Sequence, residues 1–267
     1  MAKISILGCG WLGFPLAQKL LDKGFCIKGS TTSEEKIPTL EKAGIEPFLI
    51  ALENNGISGN ISAFLEESEI LIIDIPPKLR GNNREDFVGK IKTLMPFIEK
   101  STVKKLLFVS STSVYGDNND LVTEETALNP DTEGGKQLAI VEKLLQNNTH
   151  FKTTILRFGG LIGEDRHPVK FLAARENLEN PEAPINLINQ KDCIGIIQRI
   201  IEKDIWGNIF NAVAPFHPTR EAYYTQKALE LNLTPPKFSH KKASIKKNIS
   251  AHHLTQILDY TFTTIPL

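Results

Sequence analysis

The chain has 267 residues, with 31 basic and 31 acidic side chains, so its formal net charge is zero. That balance argues against a nucleic-acid or anionic-membrane partner, and the length suits one large domain or a domain with a smaller companion. Three scattered cysteines, Cys9, Cys26 and Cys193, speak against a disulfide framework and for a reducing, cytoplasmic compartment; glycines, then Lys19, Asp22 and Lys23, break the apolar N-terminus, unlike a signal peptide or membrane span.

In chain order, Lys3–Leu7 reads as a strand. Gly13–Lys23 follows as a helix with Leu12, Leu16 and Leu20 on one face and Gly24 as its stop. Phe25–Gly29 is the next strand, Lys36–Ala43 a helix and Glu46–Ile50 a strand. A short helix over Ser62–Glu67 leads into the buried run "EILIIDIPP". Residues 84–99 form a helix whose apolar positions are Phe87, Val88, Ile91, Leu94, Met95 and Ile98, and "KKLLFVSSTSVYG" is another buried strand. The stretch "NPDTEGGKQLAIVEKLL" (129–145) opens a helix over 134–147, and "TTILRFGG" is a strand. Apolar strands alternating with helices predict a parallel sheet covered on both faces: an α/β, doubly wound Rossmann fold.

After Gly163 the pattern loosens into the polar, proline-rich "EDRHPVKFLAARENLENPEAP". "INLINQKDCIGIIQRIIE" reads as a short strand and a helix, "GNIFNAVA" as a strand, 219–231 as a helix, and the basic tail from Pro235 holds a weak helix at 250–258. The expected organisation is a Rossmann domain over 1–163, its sheet completed by about 186–212, and a mainly smaller substrate-binding lobe over 164–267.

"ILGCGWLG" places Gly8, Gly10 and Gly13 in G-x-G-x-x-G spacing, after a strand and opening a helix. Gly8 permits the tight turn, Gly10 lets the backbone approach a diphosphate, and Gly13 lets the helix pack close to the strand. The backbone around Trp11 and Leu12, at the helix N-terminus, offers free N–H groups to the phosphates. A dinucleotide that ends in an unmodified ribose wants Asp or Glu about 20 residues past the glycines. Here stand Ser30, Thr31 and Thr32, which suit a 2′-phosphate better, with Lys28 or Lys36 as the cation. The expected cofactor is NADP, with NAD the alternative; the plain alternative for the hydroxyls is capping of the next helix.

The glycine fingerprint, "SSTSVYG" (110–116), "ILRFGGLIG" (155–163) and "INLINQKDCIG" (185–195) occur in the order found in extended short-chain dehydrogenases/reductases, and the chain resembles that family over nearly its whole length. The family usually carries G-x-x-G-x-x-G, so this chain resembles an atypical, nucleotide-sugar-epimerase-like branch, with "DRHP" (165–168) and "APFHPTR" (214–220) similar to that branch. The resemblance implies an NAD(P)-dependent oxidoreductase or epimerase acting on a nucleotide-sugar or other phosphorylated small molecule. It sets Ile75, Pro76 and Ser110 along the cofactor and Ser111 at the position that orients the substrate. It also implies a homodimer through the helices at 84–99 and 134–147.

The family moves its proton with the Tyr and Lys of P-x-x-x-Y-G-x-x-K-x-x-x-E. Laid on this chain without gaps, Pro130, Gly135 and Glu142 match, but Gly134 stands at the tyrosine position and Leu138 at the lysine position. Taking Lys136 as the lysine and Thr132 as the acid would break all three matches and turn the lysine about 200° around the helix. The catalytic candidates that remain are Ser111, whose alternative role is a capping hydroxyl, and Tyr115, usually structural or substrate-lining in the family. Arg166, His167, His217 and Arg220 lie in two late loops and would suit a phosphate or carboxylate of the substrate, or else are loop-surface residues. His252 and His253 point apart on a helix, so no metal is expected. Lys241, Lys242, Lys246 and Lys247 read as a solvated tail. With the Tyr–Lys pair missing, the alternative function is a non-catalytic redox sensor or regulator that binds the cofactor.

Overall fold

The computed structural model describes residues 2–53, 56–77, 85–117 and 120–265. Strand β1 (Lys3–Leu7) leads through helix α1 (Gly13–Asp22) to β2 (Cys26–Thr31), then through α2 (Ile37–Lys42) to β3 (Glu46–Leu49). A small hairpin, β4 (Ala51–Glu53) with β5 (Gly56–Ser58), precedes α3 (Ile61–Leu65), β6 (Ile70–Ile73) and α4 (Phe87–Glu99). Next come β7 (Lys105–Ser111), β8 (Leu121–Val122), α5 (Glu133–Gln146) and β9 (Lys152–Phe158). The later part contains β10 (Gly160–Ile162), α6 (Val169–Leu172), β11 (Leu187–Asn189), α7 (Gln190–Glu202), β12 (Ile209–Ala212), α8 (Arg220–Glu230), β13 (Asn248–Ile249) and α9 (His252–Leu258).

Seven strands form one parallel sheet in the order β12-β9-β7-β6-β1-β2-β3. This is the doubly wound arrangement the alternating pattern predicts. The chain runs outward from β1 to β3, then returns to the other side of β1 as β6, so the switch point lies between β1 and β6. Successive residues of β6 serve opposite layers: Ile70 and Ile72 join Leu16 and Leu20 of α1 and Ile196 and Ile200 of α7. Leu71 and Ile73 join Ile91 and Leu94 of α4 and Val141 and Leu145 of α5. Among the described residues no helix is long and apolar enough to cross a membrane.

The late segments divide. β12 extends the main sheet, whereas β11 leaves it and pairs with β10. The basic tail is less free than its composition suggests: β13 pairs with β8, Lys247 forms an ion pair with Asp117, and Lys242 meets Glu179 at 2.8 Å. The helix expected over 84–99 starts at Phe87, where Asp86 caps it by accepting from the Gly89 N–H at 2.8 Å; Arg84 lies outside the described residues.

A buried polar knot fastens α5 to the sheet. Glu142 accepts three hydrogen bonds from the Arg157 guanidinium, the shortest at 2.6 Å, and one from Ser110 Oγ at 2.6 Å. Arg157 also donates to the Tyr115 hydroxyl at 2.6 Å, which donates to Asn211 Oδ1 at 2.9 Å. Both charged side chains are almost wholly buried. Leaving Arg157 without its partner costs about 3–5 kcal/mol in such settings. Glu142→Ala is therefore expected to lower stability by about that amount, read by urea denaturation, with Arg157→Ala giving a similar loss; a change under about 1 kcal/mol would show that the knot does not carry α5.

Candidate functional site

The glycine turn follows the ladder of β1. Gly8 has φ of +111°, and a Cβ there would stand 2.2 Å from the Asp74 carbonyl oxygen. A Cβ on Gly13 would stand 2.2 Å from the Gly8 carbonyl oxygen, so α1 starts in backbone contact with the turn. Gly10 differs: a Cβ there would meet nothing within 4 Å. The turn is pinned by Gly8 N–H donating to Ser30 Oγ at 2.9 Å and Cys9 N–H donating to the Ser30 carbonyl at 2.8 Å. α1 has no capping side chain and no acid in its first turn. Among the described residues, no acceptor meets the N–H groups of Trp11 and Leu12. Open space at Gly10 and unmet backbone donors at the next two residues fit a diphosphate.

A cavity spreads from this turn over the ends of β1 and β2, lined by Gly8, Gly10, Ser30, Thr31, Thr32 and Lys36 on one side. Ile75 and Pro76 line it from the end of β6, as the resemblance implies, and Ile50, Leu52 and Phe87 add apolar wall. Ser30 is spent on the turn, and Thr31 Oγ1 accepts from the Ser33 N–H at 3.2 Å; Thr32 and Lys36 are exposed. Lys28, the other cation considered, is buried and donates to the carbonyls of Ala63 and Glu66 at 2.6 and 2.9 Å, at the end of α3. Sequence reasoning missed Asp74, Glu85 and Lys90, which also line the cavity. Asp74 could have been found from its place one residue past a buried strand beside β1.

Where the resemblance sets a tyrosine, the chain has room. A Cβ on Gly134 would meet nothing within 4 Å, while one on Gly135 would stand 2.2 Å from the Ser113 carbonyl oxygen. The adjacent glycines therefore have different physical reasons, contact for Gly135 and space at Gly134. Thr132 caps α5, its Oγ1 accepting from the Gly135 N–H at 3.1 Å. Leu138 is 5% exposed and packs in the core with Val141 and Leu145. Lys136 is exposed. Ser111, half-buried at the end of β7, accepts from the Ser113 N–H at 3.2 Å and so caps the short turn that follows.

Two expected site residues sit elsewhere. Tyr115 is 1% exposed, with its hydroxyl committed to Arg157 and Asn211 inside the knot; burial raises its pKa, against the pull of Arg157. A phenol so placed is not an acid/base for a ligand in the cleft. Ser110 is likewise buried and donates to Glu142, so its hydroxyl is spent in the knot rather than on a cofactor.

The late loops are not brought to one point. Arg166 lies over the Trp11 ring at 5.0 Å, and Trp11 Nε1 donates to Asp165 at 2.9 Å, so this loop meets the glycine turn. His167 instead bonds the Tyr223 hydroxyl at 2.9 Å and accepts from the Val169 N–H at 3.2 Å. Burial, with Lys227 and Lys170 nearby, lowers its pKa to about 4. His217 meets the Ile185 carbonyl at 2.9 Å, and Arg220 donates to the Glu179 carbonyl at 2.8 Å beside Phe238. His253 lies tilted against the Phe210 ring, with centroids 5.4 Å apart. Glu182, Glu221 and His240 hold ligand-type atoms within 4.8 Å of one another, with the imidazole bonded to Glu221 at 3.1 Å.

No protein-family model matches the sequence. The chain is 34% identical to protein YeeZ of Escherichia coli K12 over 251 residues, 93% of this chain and 91% of that one. It is 29% identical to the UDP-glucose 4-epimerase of Dictyostelium discoideum over 128 residues, 43% of this chain and 37% of that one. Among solved structures it is similar to the UDP-glucose 4-epimerase of Thermotoga maritima with UDP-glucose (TM-score 0.80, 15% identity, 99% of this chain and 94% of that one). It is also similar to MoeE5 in complex with UDP-glucuronic acid and NAD (TM-score 0.79, 16% identity, 99% and 94%). The fold is thus the extended short-chain dehydrogenase/reductase fold that the motif order implies. Within it, the chain belongs to the family of protein YeeZ.

Two stability measurements check this geometry. Gly134→Ala should be neutral or stabilise by up to about 1 kcal/mol, whereas Gly135→Ala should destabilise by about 2 kcal/mol, since the carbonyl it meets is backbone. Equal effects in urea denaturation would contradict the assignment of contact to one and space to the other. His167 is neutral in the folded chain and has an ordinary pKa once unfolded. Its contribution is therefore present above about pH 6.5 and is lost as pH falls toward about 4. His167→Gln should flatten the acid limb of the stability–pH curve in that window.

Proposed function

We propose that this protein binds a nicotinamide dinucleotide, NADP in preference to NAD, and acts on a nucleotide-sugar-like or other phosphorylated small molecule as an oxidoreductase or epimerase. The observation that carries the reading is the open space at Gly10, followed in the chain by the unmet N–H groups of Trp11 and Leu12. In that site the turn would hold the diphosphate, and Ile50, Leu52 and Phe87 would shield apolar surface. Thr32 and Lys36 would meet a 2′-phosphate; Glu34 and Glu35, which follow soon after Thr32 in the chain, do not line the cavity, and of the acids that do, Glu85 is paired with Lys90. When bound, the cofactor supplies hydride transfer. Support for the cofactor and substrate class comes from MoeE5, described with NAD and UDP-glucuronic acid, and from the epimerase described with UDP-glucose. Three free cysteines, two of them buried, support a cytoplasmic setting. Exposed Phe97 on α4 and Ile140 on α5 support a homodimer through those helices.

In this reading Ser111 orients the substrate, and a group other than a Tyr–Lys pair handles the proton. A second reading, a non-catalytic cofactor-binding sensor or regulator, is favoured by the space at Gly134 and the apolar burial of Leu138. Titration with NADPH and NADH, followed by cofactor fluorescence, separates these from nothing at all: failure of both to bind would sink both readings. Lys36→Ala should weaken NADPH by about tenfold and leave NADH nearly unchanged, as expected for loss of one charge-assisted contact to phosphate. Turnover of NADPH with a panel of carbonyl and nucleotide-sugar substrates, lost in Ser111→Ala, would select the enzyme.

A further inference from the structure

β6 ends at Ile73, and Asp74 stands just beyond it, at the switch point between β1 and β6. Its N–H donates to the Leu7 carbonyl at 2.9 Å, which continues the parallel ladder one step past the strand. Its own carbonyl oxygen occupies the space beside Gly8 that a Cβ would need. Its Oδ2 comes within 3.2 Å of where a Cβ on Gly13 would stand. The carboxyl therefore lies inside the turn that runs from Gly8 to Gly13, and Asp74 lines the same cavity as Gly8 and Gly10. Among the described residues, no side chain hydrogen bonds it.

Among the described residues, the groups around it do little to hold a negative charge. α1 offers the Gly13 backbone N–H, which favours the carboxylate. The turn offers the Cys9 thiol and α7 the Cys193 thiol, both kept protonated by burial. On the cavity wall, Lys90 is paired with Glu85 at 2.5 Å, and Lys36 is exposed. Burial wins over the Gly13 N–H and pushes the Asp74 carboxyl up to about 8.

A carboxylate at this place would face the phosphates that the turn is shaped to cradle. Two like charges in a partly dry site repel, whereas a neutral acid has an O–H to donate. We propose that Asp74 belongs to the dinucleotide site as a protonated acid, donating a hydrogen bond to the diphosphate, and that the protein takes up a proton there when the cofactor binds above neutral pH. The proposal rests on the reading that this cavity binds a dinucleotide. The proton comes from solvent, and no covalent bond changes. Below about pH 8 the acid is already neutral and binding is pH-independent; above it the free protein must first be protonated, and affinity falls by about tenfold per pH unit.

NADH is the suitable probe, because its diphosphate carries the same charge across the range tested. Its affinity is measured by cofactor fluorescence from about pH 7 to about pH 9.5, in the wild type and in Asp74→Asn, which keeps the shape and an N–H donor but does not titrate. The expected result is a steep loss of affinity above about pH 8 in the wild type and a shallow profile in the variant. Calorimetry of the wild type at about pH 9, in two buffers of different ionisation enthalpy, should show uptake of about one proton per NADH bound. Binding without proton uptake, or the same pH profile in both proteins, overturns the role of Asp74 and leaves the cofactor reading standing. Absence of NADH binding at every pH, with NADPH also failing, overturns the cofactor reading and this one with it. Should Asp74→Asn not fold, the calorimetry on the wild type still decides.

Discussion

The Arg157–Glu142 pair is the constraint on which the rest of α5 depends. Two charges withdrawn from water are costly, and here each finds enough partners to be tolerated: Ser110 and three guanidinium contacts for Glu142, Tyr115 for Arg157. The partners come from β7, the turn after it, α5, β9 and β12, so three strands, a turn and a helix are fixed against a single point. With Glu142 held, the rotation of α5 is set. Gly135 then falls against the Ser113 carbonyl, Leu138 falls into the core, and Gly134 looks onto open space.

At the carboxyl end of β1 the constraint is steric. Gly8, Gly13 and Asp74 bring three backbone segments into contact, and only residues without a Cβ allow it at the first two. The turn is then tied to the late half of the chain. Gln190, at the start of α7, donates to the Trp11 carbonyl at 2.5 Å, and Gly163 is small because the Trp11 ring lies against it. The glycine turn and the late loop are mechanically one piece, although more than half the sequence lies between them.

The sheet was legible because its strands are apolar on both faces and its helices are periodic; β1 begins and ends where the apolar run does. The hairpin β4–β5 and the β8–β13 pair were not, since strands of two or three residues carry no period to read. Among site residues, the fingerprint was readable because backbone conformation dictates glycine. The roles of polar side chains were harder to read. Tyr115, Ser110 and His167 are the residue types of chemistry, yet each is turned to a structural partner that only the folded chain supplies. Gly134 and Gly135 look alike as letters, and only the position of the Ser113 carbonyl separates them.

The pairing of β8 with β13 has a bearing on how the chain is made. β8 lies in the loop that follows β7, close after Ser111 and Tyr115, and its partner strand comes near the far end of the sequence. Asn186 accepts from the Ile249 N–H and donates to the Lys247 carbonyl, so the same late segment also grips the start of the β11 region. During synthesis from the N-terminus, the sheet from β1 to β9 can assemble while this loop still lacks its partner. The loop after β7 can therefore take its paired form only once the chain has been made as far as Ile249.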